Sequence, residues 1–549
     1  WDPGQLRLPQ LSLSHTRPVC RATIRCIMAL RSMTVRSLRA MPGLVGAEQP
    51  HRFMLRSLST WTNTPCLRTH LGVGAPRLHG VQSLFTRAAN SPRKESALSM
   101  CSLNQTFRTY SAPTSARANN AAGSGSASEA AEPQTASLDL PPTTSNAVAY
   151  HLLLSAALVF LIIIVGGITR LTESGLSITE WNPGLKGMRL PQSEAEWNEE
   201  WDKYKQSPEF KMLNANMTMQ EFKTIFLWEW SHRILGRFIG VFFVVPAALF
   251  CLRRGMTTPD TRKKLLAIAA GIGFQGFLGW YMVASGLKNP YENEPSSSFP
   301  RPDWTPRVDH FRLAAHLGTA FAVYMGMVYT AVSILRDNAL VKNLKKTPEQ
   351  ATDLLTSFVH SLQNPKARTF RRVGLGMLVL ACTTAIYGAF VAGLDAGLLY
   401  SEFPFMGGYR LLPPKDELLD PRYAFRMNAN TEPDSSRFVL GNMTQNPVTV
   451  QAMHRYLGMT TFAAMFVFLA YAKRLKAHLP RAAPRFATGA AHMSALQALL
   501  GIFTLVYMVP VPLASLHQAG SVVLLTMLTC VMAVTKKPSK AIQLLAQTR

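Results

Sequence analysis

The sequence predicts an all-α polytopic membrane protein whose eight transmembrane helices form two pseudo-symmetric four-helix bundles. Three observations support this fold class: long apolar runs without charge, loops that alternate between basic and acidic, and a repeat that places two histidines in each half. A transmembrane helix needs about 20 mostly apolar residues, and several runs reach that length. The absence of charge therefore predicts the helices, and the repeat predicts the two halves.

The apolar runs set the number of spans. Stretches without Asp, Glu, Lys or Arg are Ala147–Ile168, Leu265–Leu287, Leu313–Leu335, Val373–Leu394, Tyr456–Ala472 and Phe486–Thr535. The last stretch is too long for one helix, and Pro510 and Pro512 divide it into two. Another span runs from about Glu229 to Leu252, with Arg233 and Arg237 near one end. These segments together predict eight spans.

The N-terminal region has the composition of a targeting leader. Residues 1–118 are rich in Arg and Ser and contain only three acidic residues, Asp2, Glu48 and Glu95. This pattern is typical of a mitochondrial transit peptide, with a disordered basic tail as the alternative. The basic residues are scattered rather than clustered, which argues against nucleic-acid binding. Residues 119–146, rich in Ala, Ser and Gly, predict a flexible linker. Because the first residue is Trp, the expected leader can begin upstream.

Loop charges predict the orientation in the membrane. Basic residues dominate Arg253–Lys264, Arg336–Arg372, Lys473–Arg485 and the C-terminal tail, and acidic residues dominate Arg170–Lys223, Lys288–Asp309 and Asp395–Arg437. Loops rich in Lys and Arg face the inner side, so both termini are expected in the mitochondrial matrix. The resulting segments are an N-terminal half over 147–336, a matrix linker over 337–371, a C-terminal half over 372–535 and a matrix tail over 536–549.

Four histidines lie near the same end of hydrophobic helices. They are His232 in EWSHRILGR, His316 in LAAHLGTAF, His454 in AMHRYLGMT and His517 in ASLHQAGSV. An imidazole within a membrane is costly without a partner, so it marks a functional site. Two facing imidazoles fill both axial positions of a haem iron, although a single one more often bonds a neighbouring helix. We expect His316 about two turns into its helix and the other three in first turns.

An internal repeat pairs these histidines. The segment WSHRILGRFIG resembles MHRYLGMTTF, and GFLGWYMVASGL resembles GIFTLVYMVPVPL. Each half then carries its histidines on its second and fourth helices, as in a four-helix bundle whose ligands face inward. A small residue follows each histidine by four positions: Gly236, Ala320, Gly458 and Ser521. This predicts an uncrowded helix face beside a porphyrin, although membrane helices favour small residues at interfaces anyway.

Glu229 is the candidate for chemistry beyond ligation. It precedes His232 by three residues, so both lie on one helix face, and a carboxylate beside a haem can accept a proton or a positive charge. The second half has Val450 or Gln451 in the corresponding place, so we expect chemically unequal sites. The alternative is an interface anchor that pairs with Arg233. Near the membrane surface, we expect the carboxylate to stay partly hydrated.

Several longer strings resemble the haem A synthase family. They are GGITRLTESGLSITEWNP, EWSHRILGR, PRVDHFRLAAHLGTAF, GAFVAGLDAGLLYSEFPFMGG, NPVTVQAMHRYLG and PLASLHQAG, and the resemblance covers about 147–535. The resemblance implies oxidation of the C8 methyl of haem O to a formyl group, giving haem A for cytochrome c oxidase. It also implies that His232 and His316 flank the iron of the substrate, that Glu229 is the catalytic carboxylate, and that His454 and His517 are the axial ligands of haem b.

The resemblance also carries expectations about partners and location. It implies a mitochondrial inner-membrane enzyme that works with a haem O synthase and takes electrons from a ferredoxin and ferredoxin reductase; a homo-oligomer is compatible with it. Many bacterial members have a cysteine pair in the first outer loop, whereas Gly184–Leu227 contains no Cys, so a thiol mechanism does not transfer. Two alternatives stay open: a di-haem b protein that oxidises a quinol, and an assembly factor that carries haem without modifying it.

Overall fold

The computed structural model describes residues 142–182, 187–288, 305–346, 348–424 and 435–545. The predicted leader over 1–118 lies outside the described residues, as does most of the predicted linker over 119–146. Within the described part, regular structure is helical throughout, without a strand. The all-α fold class is therefore confirmed.

Eight of the described helices are long and apolar enough to cross a membrane, as predicted. We call them spans 1 to 8. They are Asn146–Leu171, Met219–Leu252, Pro259–Gly286, His310–Lys346, Pro365–Gly393, Pro447–Arg474, Ala482–Val506 and Val511–Val534. Pro510 caps span 8 and Pro512 lies in its first turn, so the two prolines divide the longest apolar run as expected. All four histidines lie toward the N-terminal ends of the even-numbered spans, and we call this end of the molecule the histidine side.

The helix starts correct the predicted depth of three histidines. Span 2 begins at Met219, well before the predicted start at Glu229, because Thr218 and Glu221 cap each other's backbone in a capping box. His232 therefore lies well inside its helix. Spans 6 and 8 begin at Pro447 and Val511, which puts His454 and His517 about two turns in. The prediction of first-turn positions is wrong. Charged residues hid the start of span 2, and spans 6 and 8 each begin at a proline-containing turn that lies one turn further from the histidine than expected.

The spans pack in the order that the repeat predicts. In the first half, each span contacts the next and span 1 closes against span 4; spans 5 to 8 do the same. Spans 1, 4, 5 and 8 make the contacts between the halves. The pseudo-symmetry of the two bundles itself stays a prediction, and the repeated contacts at the histidines, described below, support it.

The connection between spans 1 and 2 folds over the histidine side. It contains the helices Glu194–Gln206 and Pro208–Leu213, which we call the cap. Its buried Tyr204 packs with Phe222 and Phe226 of span 2, and their ring centres lie 5.1 Å (Tyr204–Phe222) and 5.7 Å (Phe222–Phe226) apart. Aromatic burial of this kind is strongly stabilising, so the predicted outer loop is a packed structure rather than a flexible connection.

Charged residues join the halves on the histidine side. Arg170 at the end of span 1 binds Asp395, which follows span 5, with 3.1 Å between Nη2 and Oδ1. Arg307, just before span 4, also pairs with Asp395 and reaches Glu173 Oε1 at 3.1 Å. Two arginines of the first half therefore hold one carboxylate of the second.

Candidate haem sites

His454 and His517 face each other across the second half. Their ring centres are 6.3 Å apart and the ring planes are nearly perpendicular, at 88°. An iron bound at about 2 Å to one nitrogen of each imidazole puts the ring centres roughly 6 Å apart. The pair therefore has the separation that axial ligation of one haem iron requires.

The hydrogen bonds of this pair leave nitrogens free for a metal. His454 Nδ1 lies 3.1 Å from the carbonyl oxygen of Thr384. A carbonyl only accepts, so Nδ1 carries the hydrogen, and Nε2 keeps its lone pair. Metal-bound histidines are commonly oriented by such a bond. The His517 imidazole interacts with the backbone of Gln497, and its Nδ1 is buried.

Each of the four histidines packs against a glycine of the preceding span. A Cβ placed on Gly166, Gly279, Gly388 and Gly501 would lie 2.9, 3.6, 3.1 and 3.0 Å from the nearest ring atom of His232, His316, His454 and His517, respectively. Carbon contacts are optimal near 3.5–4.0 Å, so three of these positions have no room for a side chain. The glycines fix where each imidazole lies, and the same arrangement recurs in both halves.

Two glutamines repeat in the same way. Gln275 Nε2 donates to the carbonyl oxygen of His316 at 2.8 Å, and Gln497 Nε2 donates to that of His517 at 2.8 Å. Each glutamine lies one turn before the glycine that faces the histidine, in FQGFLG and LQALLG. Sequence reasoning missed these residues, although the recurring Gln-x-x-x-Gly spacing was a usable signal.

His232 and His316 form the corresponding pair in the first half. They lie close enough to interact electrostatically, and His316 Nδ1 is buried without a partner among the described residues. Of the small residues predicted to free a helix face, Gly458 borders open space, whereas a Cβ on Gly236 would contact Ile162 Cδ1 at 3.4 Å. The structure thus brings the predicted histidines together in two pairs.

Glu229 lies in a closed network beside the first pair. Its side chain is only 3% exposed. Oε2 accepts from Ser177 Oγ at 2.7 Å and from the Ile178 backbone N–H at 2.8 Å, and Oε1 accepts from Arg233 Nη2 at 2.6 Å and Nε at 3.1 Å. The expected partial hydration is wrong, because the chain after span 1 folds back over the carboxylate. The alternative pairing with Arg233 is present.

The arginines that follow His232 and His454 make equivalent hydrogen bonds in the two halves. Arg233 donates to the carbonyl oxygens of Ile178 at 2.8 Å and Glu180 at 2.9 Å. Arg455 donates to those of Tyr400 at 2.6 Å and Glu402 at 2.8 Å. Each guanidinium therefore fixes, through hydrogen bonds, the position of the segment that follows the first span of its half.

Uncharged side chains replace the Glu229 network in the second half. Gln451 occupies the place of Glu229 and donates from Nε2 to the Tyr400 carbonyl oxygen at 3.0 Å. Burial and the neighbouring Glu417 raise the pKa of the Tyr400 phenol to about 12, so this group stays protonated and donates to Glu417. Two similar frameworks thus differ in one buried negative charge.

The chain is similar to known proteins over its membrane region. The family model COX15-CtaA, described as a cytochrome oxidase assembly protein, matches residues 149–529. The "Heme A synthase COX15" of Saccharomyces cerevisiae is 43% identical over 383 residues, which cover 70% of this chain and 74% of the yeast protein. The protein of that name from Bos taurus is 36% identical over 475 residues, which cover 86% of this chain and 96% of the bovine protein.

A further relative carries an additional domain. It is the "Heme A synthase-mitochondrial ferredoxin fusion protein" of Schizosaccharomyces pombe, 44% identical over 382 residues, which cover 70% of this chain and 59% of the fusion protein. The chain therefore spans less than two thirds of that relative. The family match over most of the described residues and the identity to full-length relatives lead to one conclusion. The chain belongs to the COX15-CtaA family of haem A synthases, enzymes that convert haem O to haem A for cytochrome oxidase.

Proposed function

We propose that the chain oxidises the C8 methyl of haem O at a site between His232 and His316 and holds haem b between His454 and His517. The observation that carries this division is the buried carboxylate of Glu229, in whose place the second framework has Gln451. His454 and His517 would hold haem b, which would supply a one-electron redox centre when bound. The chain's own residues supply the geometry, the charge and the exclusion of water.

The substrate site needs a negative charge in addition to the two histidines that flank the iron. Oxidation of a methyl carbon develops positive charge, and a fixed anion in a water-poor site stabilises such charge strongly. Four hydrogen bonds hold the Glu229 carboxylate in one place. Gln451 gives the second site no such charge, which suits a haem that is retained rather than modified.

The haem content of variants tests this division. Wild-type protein, purified from cells that make haem O, should contain haem O, haem A or a hydroxylated intermediate beside haem b. A His316→Ala variant should keep haem b and lose haem A, whereas a His517→Ala variant should lose the low-spin haem b spectrum. Loss of haem b in His316→Ala, with His517→Ala unaffected, would reverse the assignment of the two halves.

We further propose the mitochondrial inner membrane, with residues 1–118 as transit peptide, both termini in the matrix and haem O delivered by a haem O synthase. The basic residues of Arg253–Lys264 and Lys473–Arg485 lie opposite the histidine side, as expected for matrix loops. Protease added to mitoplasts should therefore cut within Arg170–Lys223 and spare Lys473–Arg485. The opposite cleavage pattern would place the histidines on the matrix side.

A matrix ferredoxin, reduced by its reductase, is the proposed electron donor. The fusion of a relative to a mitochondrial ferredoxin supports this choice, and the basic matrix loops suit an acidic partner. The expected result is reduction of haem b by ferredoxin and its reductase, slowing as salt rises. Reduction at the same rate by a quinol without ferredoxin would contradict the proposal.

A further inference from the structure

The cap contains a second buried carboxyl group, Glu209. It lies in the short helix Pro208–Leu213 and is only 4% exposed. Within the described residues, its Oε2 has no hydrogen-bond partner. This differs sharply from Glu229, whose oxygens accept four hydrogen bonds. A buried carboxyl with a free oxygen costs free energy, so packing alone does not account for it.

Charged and titratable groups face Glu209 from each neighbouring element. Glu229 comes from span 2, Glu173 from the segment after span 1, Arg307 from the segment before span 4, and Tyr204 from the cap itself. Burial and the negative charge of Glu229 raise the pKa of Glu209 to about 8, against smaller lowering effects of Tyr204 and Arg307. Glu209 therefore keeps its proton at neutral pH and loses it when the pH rises by about one unit.

Tyr204 connects this carboxyl to the rest of the cap. The phenol is fully buried, interacts with Glu209 and lies within the electrostatic reach of Glu229. Its oxygen accepts a hydrogen bond from Asn214 Nδ2 at 2.8 Å, which leaves the phenol hydrogen free to donate. Burial raises the pKa of Tyr204, so the phenol can pass a proton on without ionising.

An ion pair that is partly exposed to water lies within electrostatic reach of Glu209. Arg307 Nη2 lies 3.1 Å from Glu173 Oε1, and these side chains are 35% and 50% exposed. Glu209 thus lies within electrostatic reach of both the buried Glu229 and a partly exposed ion pair. In the connection between spans 5 and 6, by contrast, the buried Asn442 is hydrogen-bonded at both ends of its amide: Oδ1 accepts from Asn446 Nδ2 at 2.9 Å, and Nδ2 donates to the Asp420 carbonyl oxygen at 3.1 Å.

We propose that Glu209, assisted by Tyr204, exchanges protons between the Glu229 site and water on the histidine side. Glu209 gives its proton to the site and is reprotonated from water near the Glu173–Arg307 ion pair. Each cycle leaves the charge of the cap unchanged. The proposal rests on the substrate site proposed at His232 and His316, where methyl oxidation requires protons to move whichever oxidant acts.

Conversion of haem O across a range of pH tests the proposal. We compare wild type, Glu209→Gln and Glu209→Asp, with Glu194→Gln as an exposed carboxyl control from the same cap. Wild-type conversion to haem A should fall as pH rises through about 8, where Glu209 loses its proton. The Gln variant should be slower by about 10²-fold and insensitive to pH over that range, with haem b retained. The Asp variant should recover part of the rate and the pH dependence.

Three results would overturn the proposal. Glu209→Gln could keep the parental rate and pH profile, which would leave the carboxyl without a part in the reaction. It could retain the parental pH profile at a lower rate, which would assign the titration elsewhere. Loss of haem b in both Glu209 variants would assign a structural role. If Glu229→Gln and His316→Ala also form haem A normally, the proposed substrate site is wrong. If these two variants are defective but the Glu209 variants are not, only the role of Glu209 is rejected.

Discussion

The two halves of the membrane domain share a framework and differ in charge. In both halves, each histidine packs against a glycine of the preceding span. An arginine next to the first histidine donates to carbonyl oxygens of the segment that follows the first span of that half. The first half adds Glu229, and the second has Gln451 in its place. Under the proposed function, the shared parts hold a haem in each half, and the part that differs serves to modify one of them.

The arginines show what the missing charge changes. Arg233 Nε donates to Glu229 at 3.1 Å, whereas Arg455 Nε is buried without a partner among the described residues. A guanidinium that keeps a free donor suits a carboxylate from outside the chain, such as a haem propionate. The same residue type is thus neutralised in one half and left available in the other.

The largest expected effect breaks the shared framework. Replacing His454 or His517 with Ala should abolish low-spin haem b, because a single axial imidazole cannot maintain six-coordinate iron. His492→Ala, an exposed position of span 7, serves as the control. Absorption spectra of the reduced purified proteins provide the measurement, and an unchanged spectrum in both variants would place haem b elsewhere.

The next effect removes the difference between the halves. Glu229→Gln should lower haem A formation by about 10²–10⁴-fold while haem b is retained. It leaves Arg233 buried without its counter-charge, at a cost of about 1.5–3 kcal/mol, so protein level and haem b content must be measured together with haem products. Gln451→Glu is the matched variant, and we expect it to give no oxidation of haem b. Haem A at the parental rate in Glu229→Gln would make this carboxylate an anchor only.

A smaller effect is expected when the contacts between glycines and histidines are crowded by an added methyl group. Gly388→Ala and Gly501→Ala bring a methyl group to 3.1 and 3.0 Å from a ring, and such overpacking costs about 1–3 kcal/mol. Haem b should therefore dissociate faster from both variants. Gly458→Ala, with no atom within 4 Å, is the control and should leave haem b dissociation unchanged. Equal behaviour of all three would show that the imidazoles adjust freely.

The smallest expected effect is a pH dependence of stability confined to the first half. The folded-state pKa of Glu209 is raised from 4.5 to about 8, so folding favours its protonated form. Its contribution to stability is complete below about pH 4.5 and disappears as pH rises through about 8. Limited proteolysis within the cap should therefore accelerate between about pH 6 and 9, and Glu209→Gln should suppress the increase. Equal acceleration in wild type and variant would remove Glu209 as its source.

The spans and the paired histidines could be predicted from the sequence, because both leave local patterns in it. Apolar runs had to cross a membrane, and four imidazoles in repeated contexts needed a common explanation. The burial of Glu229 and the position of Glu209 could not be predicted in this way. Both depend on how the connection after span 1 folds back, which is a long-range contact without periodicity. The opposing glycines could have been found by aligning the halves, but their contacts with the rings needed coordinates.

The pairing of each histidine with a glycine of the preceding span has a consequence for biogenesis. Every ligand and its packing partner belong to one helical hairpin, so each hairpin can settle as it leaves the ribosome, in the order of synthesis. Neither pair of ligands is complete, however, until the second hairpin of its half has been inserted. Under the proposed function, the second ligand of haem b is His517 in span 8, so haem b can bind only after spans 5 to 8 have all been inserted.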